Sequence, residues 1–137
     1  MIEHVLKLTP GEDLLIAMDH YCKKNNIEAG YVATCVGSLS RIAFRKGYER
    51  TELILEGGFE IVSLSGTFSQ GGMHIHMAVS DKDFNVKGGH AKVGCIVRST
   101  AEIVIIQLDQ HELRRHKDNA HGHKELHIVR RSNICSD

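Results

Sequence analysis

Met73-His74-Ile75-His76, then Asp81-Lys82-Asp83, then Gly88-Gly89-His90: these three pieces of residues 73–90 decide how the chain is read. On a β-strand successive side chains point to opposite faces, so His74 and His76 share one face while Ile75 and Met77 share the other. The polar Asp81-Lys82-Asp83 segment reads as a turn. An antiparallel hairpin centred on Lys82 would set His74 opposite His90, and directly opposed residues lie on one face. Three imidazoles then converge. Neutral imidazole suits zinc and similar divalent ions, and three protein ligands leave a fourth position for water or substrate. The expected metal ligands are His74, His76 and His90, and the expected cofactor is zinc or a similar divalent metal. The bland alternative is a polar strand face in a chain with ten histidines.

The flanking sequence is mostly strand-like. Glu3 to Leu8 reads as a strand. Thr9-Pro10-Gly11-Glu12 reads as a capping box, with Pro10 at the first helical position and Glu12 reaching back to Thr9. Leu14, Leu15, Met18, Tyr21 and Cys22 recur at helical spacing, Lys23 and Lys24 suit the negative end of the helix dipole, and Asn25-Asn26 ends the helix. From Ala29 onward β-prone runs follow: Gly30 to Val36, Ile42 to Arg45, Leu53 to Leu55 and Phe59 to Phe68. Val93 to Val97 and Ala101 to Leu108 are the most continuously apolar stretches, as expected of central strands or of strands against a neighbouring subunit. Paired glycines mark turns or close backbone approach. A final strand is expected from Leu126 to Arg130. His121 and His123 form a poor metal site, because the glycine between them adds entropy that binding must remove. The fold class reached is α+β: an antiparallel β-sheet with one main flanking α-helix.

At 137 residues the chain suits one domain, expected over 2–131, with residues 132–137 as a C-terminal tail. Hydrophobic residues at 42% and charged residues at 25% place it among ordinary globular proteins. No apolar run approaches the roughly 20 residues of a membrane helix. Met1-Ile2-Glu3-His4 lacks the basic start of a signal peptide, so a cytoplasmic location and no membrane partner are expected. Cys22, Cys35, Cys95 and Cys135 show no C-x-x-C spacing and read as reduced, structural thiols. Seventeen basic residues balance seventeen acidic ones, which argues against autonomous DNA binding. Arg41, Arg45, Lys46 and Arg50 form the one compact basic group, and such a group is more often a solvated face.

Five segments, taken in order, resemble the plant and prokaryote conserved domain, also called PPC or DUF296. They are Gly37-Ser38-Leu39-Ser40-Arg41-Ile42, Phe59 to Phe68, His74-Ile75-His76, Gly88-Gly89-His90 and Gly94 to Glu102. The match covers roughly residues 2 to 110. The resemblance implies an antiparallel sheet with a flanking helix and a homotrimer. Plant members carry AT-hooks for the DNA minor groove; this chain has no such segment, its single proline being Pro10, so the family's DNA-binding label transfers poorly. The implied fold is also similar to that of acetolactate decarboxylase and a related metal-dependent ester hydrolase, whose zinc is held by H-x-H plus a distant histidine. By that resemblance Arg98 and Glu102 are the candidates for groups beside the metal or a substrate.

Two readings of function follow. In the first, the chain is a metal-binding, homotrimeric binding or regulatory module whose metal site stabilises the fold or senses a small-molecule ligand. In the second, it is a zinc-dependent enzyme of decarboxylase or hydrolase type. The first is preferred, because metal ligands without an identified acid or base make half a site. DNA binding by family label is the remaining alternative.

Overall fold

Hydrophobic alternation along most of the chain yields strands, and the computed structural model describes residues 1–117 and 122–132. Chain order is β1 (Ile2–Leu8), α1 (Leu14–Lys24), β2 (Ala29–Arg45), β3 (Glu52–Ser69), β4 (Gly72–Ser80), β5 (Val86–His90), β6 (Ile96–Gln107), β7 (His111–Lys117) and β8 (Lys124–Arg130). The first six strands form one antiparallel sheet in the order β1-β6-β2-β3-β4-β5. β7 and β8 pair as a separate two-stranded ribbon. The α+β class, one short helix on an antiparallel sheet, is the fold observed.

Leu14, Leu15, Met18 and Cys22 are the buried stripe of α1, and they join Leu39, Ile42, Phe68, Ile75, Val97, Ile103 and Ile105 in one core. β6 is central, as its apolar run suggests, lying between β1 and β2. It starts at Ile96 and not at Val93: Gly94 has φ +116 and its amide donates to Asp13 Oδ2 at 2.7 Å, so residues before Ile96 turn instead of extending. β2 runs through Gly37-Ser38 without a break, absorbing the irregularity as shifts of register against β6 between Val32 and Thr34 and on either side of Leu39.

The start of α1 differs from the sequence expectation. Thr9 N–H donates to Glu12 Oε2 at 2.7 Å, the half of the capping box formed by the glutamate. Thr9 Oγ1 also donates to that oxygen, at 3.1 Å, so it serves the carboxylate and not the helix. Gly11, at φ +89, turns the chain out of helical geometry, and Asp13 becomes the cap: its Oδ1 accepts from Leu15 N and Ile16 N, both at 3.0 Å.

The register shows which residues share the sheet face opposite α1. Ile106 pairs with Tyr31, Tyr31 with Thr67, and Thr67 with His74, so one row crosses four strands. Val5, Val36 and Val62 lie exposed, at 74%, 58% and 54%. Among the described residues, no helix is long and apolar enough to cross a membrane.

Candidate metal centre

Strand alternation places Ile75 and Met77 in the core and leaves His74 and His76 outward. β5 then brings the third imidazole alongside. The hairpin is centred on Asp83 and not Lys82, so His76 pairs with His90 while His74 pairs with Thr67. The cause is the loop: Asp81 Oδ1 accepts from Asp83 N at 2.9 Å and Asn85 N at 3.0 Å, and Asp81 N donates to Asn85 O. This Asx-type closure makes a five-residue loop over 81–85, with Phe84 at φ +63. A slip of two residues keeps every side chain on its expected face, so convergence survives the error in register.

The three histidines can each offer one ring nitrogen, and these nitrogens lie within 4.8 Å of one another. Ring centroids are 4.7 Å apart for His74 and His76, 5.0 Å for His74 and His90, and 5.4 Å for His76 and His90. His74 Nε2 and His76 Nε2 are 3.0 Å apart, so one of them must carry a proton to bond the other. An ion would replace that proton and take both lone pairs, which requires the tautomers protonated at Nδ1. His90 Nδ1 is buried and has no hydrogen-bond partner among the described residues. Buried polar atoms are rarely left so. Three imidazoles with an unsatisfied nitrogen among them fit a borderline divalent cation, with one position left open.

Burial and neighbouring positive charge favour the neutral form of His74 and His90. Burial lowers the pKa of His74, helped by His76, Arg115 and Arg45 and opposed by Glu125. Burial, followed by Arg45, His74, His76 and Lys92, brings His90 down to about 4. The neutral form is the one that ligates.

A close backbone approach supports the geometry. A Cβ on Gly88 would sit 2.6 Å from Met77 O and 3.0 Å from Ala78 Cα, so only glycine lets β5 lie this near β4 just before His90.

Arg98 and Glu102 are not brought to the histidines. Glu102 sits on β6 opposite Lys7 and Val36, separated from β4 by β2 and β3, and the guanidinium of Arg98 lies over Gly58. The residue that sequence reading missed is Arg115 on β7. Its Nη2 donates to Thr67 Oγ1 at 3.1 Å, beside His74 in the same row. β7 reaches the site through backbone bonds from Gln70 N to Leu113 O and from Arg115 N to Gln70 O, a contact no local pattern announces. His123 is exposed on the approach to β8, and His121 lies outside the described residues.

With this geometry in view, comparison with known proteins places the chain. The profile of the Plants and Prokaryotes Conserved (PCC) domain matches residues 1–109. The chain belongs to the PCC domain family. Among solved structures, a hypothetical protein from Salmonella enterica superposes with TM-score 0.90 at 36% identity, covering 96% of this chain and 95% of that one. A PPC protein of Pyrococcus horikoshii gives 0.79 at 25% identity, over 95% and 94%. A metal-containing protein of Archaeoglobus fulgidus gives 0.75 at 24% identity, over 91% and 92%, a likeness of fold. The bifunctional protein GlmU of Synechococcus sp. (strain JA-3-3Ab) is 37% identical over 123 residues, 90% of this chain. The PCC chain spans only 20% of the length of that relative.

Proposed function

We propose that this PCC domain is a metal-binding, homotrimeric binding or regulatory module, with a zinc-like divalent ion held by His74, His76 and His90. The observation that carries it is the convergence of three ring nitrogens within 4.8 Å on one sheet face. The unsatisfied His90 Nδ1 and the neutral state of His74 and His90 support it. The metal content of the Archaeoglobus fulgidus relative is consistent with it. The trimer rests on the family and on the apolar face opposite α1, where Val5, Val36 and Val62 would be covered by a neighbouring copy.

A bound ion at this place would act as a Lewis acid with one open position, which is the support for the second reading, a metal-dependent decarboxylase or hydrolase. That reading needs a proton-transferring group, and among the described residues no carboxylate joins the histidine group. The binding module is therefore preferred.

Elemental analysis tests the proposal. The purified protein should hold about one divalent ion per subunit, and His76→Ala should hold none while His123→Ala keeps it. Equal metal in wild type and His76→Ala would remove the three-histidine assignment.

A further inference from the structure

The candidate ligand set contains no carboxylate, and its surroundings are cationic. Arg115 donates to Thr67 Oγ1, on the register partner of His74, and its buried Nε has no hydrogen-bond partner among the described residues. The positive charge of Arg115 bears on His74, and that of Arg45 bears on both His74 and His90. Glu125, on exposed β8, is the acidic group whose charge reaches His74, and its effect is weaker than that of either arginine. A divalent ion held by three imidazoles keeps its full charge, and among the described residues no carboxylate joins the histidine group to offset it. Beside the histidines is an open hollow of about 390 Å³ whose lining includes Tyr31, Ser65 and Thr67. It has room for a small molecule, and those three hydroxyls give it polar contacts.

We propose that the open position of the three-histidine site takes a small carboxylate, and that Arg115 is the positioning residue that receives its second oxygen. This rests on the metal reading above. A carboxylate supplies one oxygen to the ion and one to a guanidinium, and the planar fork of arginine matches it where a lysine point charge does not. Arg115 has reason to turn toward such a ligand. Among the described residues its guanidinium is held by one neutral hydroxyl, and its Nε gains an acceptor when the fork is filled. Thr67 Oγ1, released by that turn, stays in the hollow as a further donor.

Cobalt(II)-loaded protein provides the test, because the visible spectrum of cobalt responds to its fourth ligand. Acetate and inorganic phosphate are titrated as probes against wild type, Arg115→Gln and Arg115→Lys. Acetate should shift the wild-type spectrum to saturation. Arg115→Gln should keep one cobalt per subunit and bind acetate about tenfold more weakly, the loss of a charge-assisted hydrogen bond. Arg115→Lys should fall between the two, and it serves alone if the glutamine variant does not fold. Acetate affinity unchanged in both variants overturns the role of Arg115. Phosphate binding more tightly than acetate overturns the carboxylate assignment. A wild-type chain that takes up no cobalt overturns the metal reading itself, and this inference with it.

Discussion

Burial acts on single ionisable groups in two opposite ways in this protein. It keeps imidazoles uncharged and ready to ligate, and it keeps thiols protonated. Cys22 and Cys35 are pushed up to about 12 by burial, and Cys95 is raised by the same cause. Unfolded thiols ionise near 9 and these ionise higher, so the folded state keeps protons that the unfolded state releases. Their contribution to stability is full below about pH 9 and is lost as pH rises toward 12. Iodoacetamide at pH 8 should therefore leave Cys22, Cys35 and Cys95 unmodified in native protein and label all three in denaturant, read by peptide mass mapping. For the metal the sign is reversed: protons compete as pH falls, and at His74 and His90 they begin to compete only below the ordinary imidazole value of 6.5. The burial of Cys22, Cys35 and Cys95 was legible in the sequence, since a thiol within an apolar stretch behaves as a hydrophobe, while Cys135 lies outside the described residues. Arg115 was not, because its place beside His74 depends on a β7 contact made across more than forty residues.

Elements carry the next layer. Asp13 does three jobs, capping two amides at the start of α1 with one oxygen and holding Gly94 N at the entrance to β6 with the other. Asp13→Ala should cost about 2 kcal/mol, the upper end for loss of a cap. Thr9→Ala, which touches only Glu12, should stay within about 0.5 kcal/mol. Urea unfolding of both variants checks the contrast; similar midpoints would show that the cap lies elsewhere. The helix itself was legible from the spacing of Leu14, Leu15, Met18 and Cys22, because that stripe is the core contact. Its first residue was not, because Gly11 takes a backbone turn that the capping-box pattern does not encode. The same holds for the histidine hairpin. Alternation decides faces reliably, whereas the exact register depends on how one carboxylate, Asp81, folds the loop around itself.

At the scale of the molecule, one helix covers one face of a six-stranded sheet. The other face holds Val5, Val36 and Val62 in solvent. Light scattering at micromolar concentration should return about three times 15.3 kDa, and Val36→Glu should lower that mass. A wild-type monomer would refute the trimer. Charge balance governs the remaining interaction. Arg41 pairs across from Glu56 and Arg45 across from Glu52, so the basic group noticed in the sequence is interleaved with acid. Fluorescence anisotropy should find no duplex sequence that outcompetes scrambled DNA at physiological salt, and any weak binding should fall steeply as salt rises.

The sheet order also has a temporal meaning. Ile2 is paired with Gln107, so the first strand made is completed by a strand made about a hundred residues later. β3, β4 and β5 follow one another directly and need no distant partner to close around the three imidazoles. During synthesis at roughly 5 to 20 residues per second, β1 waits several seconds for β6 while the histidine hairpin can already close. The histidine-bearing part of the sheet is thus built from strands that are neighbours in sequence.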